Sequence, residues 1–172
     1  MPIDRVVVNS SPLMVLFSSG QEAWLGQLWH EVLVPGAVWK EVLAGGPQDT
    51  VAQRLPTMPW ARQVEVPAIT PVIAAWDLGA GESEVLTFAL THPGYRATVD
   101  DAGARRCART FGIPILGTGG ALILAKRRGL IASVAESLTA LRKAGLWLSD
   151  ELVTLLKQQA GEMQNSTEPP LI

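Results

Sequence analysis

The chain is 172 residues long, with 48% hydrophobic residues, 17% charged residues and a formal net charge of −2. That length accommodates one domain with a substantial core, and the composition excludes wholesale disorder. The near-neutral charge excludes strong overall steering toward nucleic acid, leaving only a local patch for such contacts, and no segment reaches the ~18 uninterrupted apolar residues of a membrane span.

Arg5-Val6-Val7-Val8-Asn9 is a β-branched run closed by a polar residue, which predicts a buried first strand. Ser10-Ser11-Pro12 supplies an N-cap and a first-turn proline for a short helix over 13–17. Gly20 breaks that helix, and helical spacing resumes over 22–30 with Trp24, Leu25, Leu28 and Trp29. Val32-Leu33-Val34 is the second strand, and Pro35 starts a helix through Val38, Val42 and Leu43 that Gly45-Gly46-Pro47 ends. Glu41 falls three residues after Val38, near the core-facing side of this helix. A mixed stretch with one short helix over 50–55 leads to Val64-Glu65-Val66, whose alternation reads as an edge-like third strand. A short helix is expected over 71–76. Gly79-Ala80-Gly81-Glu82-Ser83-Glu84 then leads into an apolar helix over 85–90, with Trp76, Val85, Phe88 and Ala89 facing inward.

Residues 95–100 are the fourth strand, 105–111 its following helix with Ala104, Ala108 and Phe111 inward, and Ile113-Pro114-Ile115-Leu116 a fifth strand. Gly117-Thr118-Gly119-Gly120 lacks the lysine of a nucleotide-binding P-loop and reads as a tight turn. Thr118 is its cap, and the turn opens a helix over 121–128 that Gly129 stops. Two more helices cover 130–144 and 149–160, the second capped by Ser149. Residues 1–160 are thus the expected domain, and 161–172, polar with a double proline, the expected tail. Cys107 is the single cysteine, which excludes an intramolecular disulfide, and the first residues lack the apolar region of a signal peptide, so a reducing cytoplasm is the expected location. The six tryptophans occupy core-like positions, with Trp39 and Trp60 the two considered for a dimer surface.

The chain is organised around Ala97-Thr98-Val99-Asp100-Asp101, an apolar run ending in two adjacent carboxylates and followed at once by helical spacing. In an open parallel α/β sheet the carboxyl ends of the strands face a crevice, so acids placed there converge with acids from other strand ends. Such a cluster suits Mg²⁺ or Mn²⁺, hard cations that take oxygen ligands.

Five strings together resemble the PIN domain, and more narrowly its prokaryotic branch related to toxin nucleases of VapC type. They are Val7 to Leu13, Val34 to Val42, Leu78 to Glu84, Val99-Asp100-Asp101 to Arg106, and Gly112 to Thr118. The match in order and spacing spans about Val6 to Leu155. The resemblance implies an α/β fold with a central parallel sheet of four to five strands flanked by helices and followed by C-terminal helices. It also implies a divalent-metal site of three or four acids, and hydrolysis of RNA phosphodiester bonds. Carried over position by position, Asn9 stands where the family has its first-strand Asp or Asn. Glu41 matches the acid after the second strand, Glu82 in preference to Glu84 the third acid, and Asp101 with Asp100 beside it the fourth. An asparagine coordinates through its carbonyl oxygen and brings no charge. The implied ion orients and deprotonates a water and stabilises charge on the phosphate. Arg105 and Arg106 are the expected phosphate contacts, with Thr118 facing the site. A homodimer and an antitoxin protein are the implied partners.

Each position also has a simpler role. Asp101 just before a helix suits an N-cap, Glu82 and Glu84 near a helix start complement its dipole, and Asn9 suits a tie to a neighbouring loop. Lys126, Arg127 and Arg128 suit a solvated last turn. His30 and His92 have no metal-ligand spacing, and Cys107 suits a buried, inert position. The rival reading is a PIN-like protein without turnover that acts by binding RNA or protein.

Overall fold

Val6, Val7 and Val8 are at most 1% exposed, and burying each such side chain contributes ~1.5–3 kcal/mol relative to leaving it in water. A computed structural model of the chain describes residues 5–163. The three valines form strand β1 (Arg5–Val8), which lies at the centre of the sheet because a strand buried on both faces must be apolar throughout. The sheet has four strands in the order β3-β2-β1-β4, with β2 at Glu31–Pro35, β3 at Ala61–Val64 and β4 at Arg96–Thr98. Every pairing is parallel, with Val6 opposite Val32 on one side and opposite Arg96 on the other. All four carboxyl ends therefore point the same way. The Asn9 amide donates to Thr98 O at 3.1 Å and carries the β1–β4 pairing one step past the last strand residues.

Helices fill the crossovers and follow the last strand: α1 (Ser10–Ser18), α2 (Leu25–Leu28), α3 (Gly36–Leu43), α4 (Thr50–Arg54), α5 (Pro71–Ala74) and α6 (Ala80–Thr91) lie before β4, and α7 (Ala102–Thr110), α8 (Thr118–Arg127), α9 (Val134–Lys143) and α10 (Asp150–Gln159) after it. Helix α3 packs on α6 and α1, while α8, α9 and α10 pack on one another. Trp24, Leu25, Leu28, Trp29, Val85, Phe88, Ala89, Ala104 and Ala108 are buried as their spacing predicts, whereas Trp76 and Phe111 are half-buried and meet edge to face at 6.5 Å. Among the described residues no helix is long and apolar enough to cross a membrane.

The third strand begins three residues and ends two residues earlier than its alternation suggests. Pro35 pairs with Val64, so Glu65 and Val66 run past the end of β2 and have nothing to pair with. The fifth strand reduces to one bridge between Ala97 and Ile115. Pro114 has no N–H to give and only accepts from Ala97 N, Leu116 N returns a bond to Ala97 O, and pairing stops there. Ser149 caps α10 as predicted, its side chain accepting from Leu152 N. Asn9 holds the N-cap position of α1, just before the Ser10-Ser11-Pro12 string expected to supply the cap, and Gly117 that of α8, where Thr118 was expected.

Candidate functional site

Four segments meet at the carboxyl edge of the sheet. Asn9 follows β1 directly and is 2% exposed, so its amide must find partners within the protein. Its Nδ2 donates to Glu82 Oε1 at 3.3 Å, across from the first turn of α6. Only an N–H can face a carboxylate in this way, so the amide's orientation is fixed and Oδ1 points elsewhere. That oxygen is buried without a hydrogen-bond partner. Glu41, in the last turns of α3, is oriented by two donors: Ser10 Oγ gives to its Oε2 at 2.6 Å and Gly81 N to its Oε1 at 3.3 Å.

Gly81 shows how closely these groups converge. A β-carbon there would lie 2.9 Å from both Asn9 Oδ1 and Glu41 Oε1, and 3.2 Å from Glu41 Oε2. The absence of a side chain at Gly81 thus leaves one space that an amide oxygen and a carboxylate both face. Glu82 reaches the cluster through Asn9. Glu84 turns away and accepts from Ala37 N at 2.8 Å, satisfying a free amide in the first turn of α3. Residues two apart on a helix do not share a face, which separates the two glutamates.

The acids after β4 are also divided. Asp100 accepts from Thr118 N at 2.8 Å and from Thr118 Oγ1 at 2.5 Å, so a fully buried threonine at the start of α8 holds both carboxylate oxygens. The next residue, Asp101, is exposed and caps α7 by accepting from Ala104 N at 2.8 Å through Oδ2. Arg105 reaches back toward Asp100: a β-carbon at Gly117 would lie 2.7 Å from Arg105 Nη1 and 3.1 Å from Asp100 Oδ1. Arg106 is exposed on α7. The basic turn at the end of α8 has a structural use, since Lys126 pairs with Glu162 at 3.1 Å. Cys107 is buried, and burial pushes its thiol up, away from the reactive thiolate. His92 stacks on Phe88 at 4.0 Å, and His30 is exposed beyond the amino end of β2.

Among the described residues no three His, Cys, Asp or Glu side chains stand together as a ready-made metal cluster. The group around Gly81 has two carboxylates and an amide, with Asp100 at the adjoining strand end. This donor set fits a hard divalent cation, because every donor is an oxygen and one of them, Asn9 Oδ1, is buried with no other partner. Ser10, within the string read as a helix cap, instead donates to Glu41. Its one signal was position, immediately after the first-strand polar residue. Trp147, taken with the other tryptophans for a core position, is 84% exposed.

No curated protein sequence matches the chain. A family model described as a PIN domain matches residues 5–162. Its nuclease-type function and usual dependence on divalent metals agree with oxygen donors gathered at the carboxyl ends of a parallel sheet. By that match over nearly its whole length, the chain belongs to the PIN-domain family.

Proposed function

We propose that this protein is a metal-dependent endoribonuclease hydrolysing RNA phosphodiester bonds, and the toxin of a toxin–antitoxin pair. The observation that carries the reading is the unpartnered Asn9 Oδ1 facing the same space as the Glu41 carboxylate over Gly81. Asn9, Glu41 and Glu82 hold Mg²⁺ or Mn²⁺, with Asp100 and Asp101 completing the ligand set from the next strand end. Bound there, the ion supplies a polarised water and a positive charge against the phosphate oxygens. Ser10 fixes the rotamer of Glu41, and Thr118 does the same for Asp100. Arg105 and Arg106, just past the acids, take the phosphate, with Arg105 placed nearer the cluster and Arg106 toward solvent.

The toxin role, the antitoxin partner and a cytoplasmic setting rest on the resemblance of the five strings and on a lone buried cysteine. A homodimer through the early helices draws support from Met14 on α1 and Leu43 on α3, 38% and 40% exposed. Light scattering of the purified chain tests it, and a monomeric mass contradicts it. A second reading, a PIN-like module that binds RNA or protein without turnover, draws on the neutral amide at Asn9, which contributes no charge to hold a cation. The assay that decides is cleavage of labelled single-stranded RNA with Mn²⁺, with Mg²⁺ and with a chelator, beside a Glu41→Gln variant. Metal-dependent cleavage lost in the variant is expected. Chelator-insensitive RNA binding with no cleavage by folded protein supports the module instead.

A further inference from the structure

Between the start of α8 and the loop joining α9 to α10 lies a cavity of about 420 Å³, within the ~300–1,000 Å³ span of small-ligand sites. Its lining combines Asp100, Arg105 and Gly117 of the strand-end site with Trp147, Leu155 and the amide of Gln159. Trp147 and Leu155 are 84% and 47% exposed, so neither is spent on the core. Trp147 is nonetheless held in place. Its neighbours Leu146 and Leu148 pack against the core, and Arg142 ties the loop by donating to Leu148 O at 2.6 Å and to Asp150 at 2.8 Å. An indole presented outward from a pinned loop orders few additional degrees of freedom when it meets a planar ligand.

We propose that this cavity is a nucleobase subsite: Trp147 stacks on an unpaired base of the RNA whose neighbouring phosphate is held at Arg105. The proposal rests on the endoribonuclease reading of the strand-end cluster and names its substrate as single-stranded. Charge complementarity selects the occupant. A guanidinium and an apolar, aromatic wall in one cavity match the phosphate and the base of one nucleotide, whereas an apolar peptide segment would leave Arg105 unserved. The cavity's continuity with Asp100 places the base beside the phosphate under attack. A base within a duplex offers no free face to the indole, so paired RNA is excluded from the subsite.

The test uses the full chain and a fluorescein-labelled RNA oligonucleotide. Its Kd is measured by anisotropy in chelator, so that no cleavage intervenes, for the wild type, Trp147→Ala and Trp147→Phe. The same titrations are run with an oligonucleotide carrying abasic positions and with a perfect duplex. Because Trp147 is exposed, unchanged melting temperatures are expected and serve as the folding control. On intact single strands, Trp147→Ala raises Kd about tenfold or more while Trp147→Phe stays near the wild type, and the difference vanishes on abasic RNA and on duplex. Equal Kd values for Trp147→Ala and the wild type overturn the subsite, as does a loss that persists on abasic RNA. An alanine variant that dissociates a wild-type dimer without changing RNA affinity overturns it too, and assigns the surface to a second copy. Metal-dependent cleavage is measured alongside. Cleavage with no Trp147 effect refutes the subsite alone, a Trp147 effect without cleavage refutes the nuclease reading alone, and no RNA binding by the wild type refutes both.

Discussion

At the scale of single residues, the site depends on an amide where a carboxylate would bring charge. Replacing Asn9 by Asp puts a second negative group against Glu82, which is unfavourable until a cation lies between them. Asn9→Asp is therefore expected to lower the melting temperature in chelator and to show a larger Mn²⁺-induced rise than the wild type; equal rises contradict a metal role for this position. Gly81 offers a sharper probe. Alanine favours a helix over glycine by up to ~1 kcal/mol, yet its β-carbon would press on Asn9 Oδ1 and Glu41 Oε1 from 2.9 Å. Gly81→Ala is expected to change the melting temperature little and to reduce metal-dependent cleavage by tenfold or more; undiminished cleavage would show that the space over Gly81 is not used. Asp100 and Asp101 could be singled out in the sequence as adjacent carboxylates at a strand end, whereas Asn9, Glu41 and Glu82 were reached only through the resemblance of the five strings. Ser10 and Trp147 were reached by neither route. Ser10 within Ser10-Ser11-Pro12 reads as part of a cap, and Leu146-Trp147-Leu148 reads as core until the packing of its neighbours shows which way the ring points.

At the scale of elements, periodicity located most helices, while strand ends depended on partners that no local pattern reveals. The pairing of Pro35 with Val64 fixes where β3 stops, and Pro114 limits the fifth strand to one bridge. Past the last helix, Glu162 falls in the stretch expected as a tail, yet it accepts from Val134 N and Ala135 N at 2.7 Å and from Ser133 Oγ at 3.1 Å, at the start of α9. Residues 164–172 of that stretch lie outside the described residues. Burial alone would raise the Glu162 carboxyl, but the two amides, Lys126 and Ser133 outweigh it and bring it down from 4.5 to about 2. A folded-state value below the unfolded one means that this stabilisation is complete above about pH 4.5 and is lost as pH falls toward about 2. Glu162→Gln is expected to destabilise the protein by ~1–2 kcal/mol at neutral pH, allowing for partial solvent exposure, and chemical denaturation across pH checks it. The gap between variant and wild type should narrow below about pH 4.5; a constant gap would contradict the assignment.

At the scale of the whole molecule, one topological fact does most of the positioning. All four strands run parallel, so Asn9, Glu41 and Asp100 arrive at the same edge although they are far apart in the chain. The parallel sheet and the family were both legible through the five strings, whose resemblance implied them. Helix rotation decides which glutamate faces Asn9, and local pattern does not fix it: the resemblance favoured Glu82, and Glu82 turns to Asn9 while Glu84 turns to α3. The oxygen group around Gly81 is the proposed metal centre. The most direct measurement is Mn²⁺ binding by electron paramagnetic resonance in the wild type, Asn9→Ala, Glu41→Gln and Glu84→Gln. The first two variants are expected to lose at least tenfold in Mn²⁺ affinity while Glu84→Gln binds as the wild type does. Affinity unchanged in Asn9→Ala and Glu41→Gln would contradict that assignment.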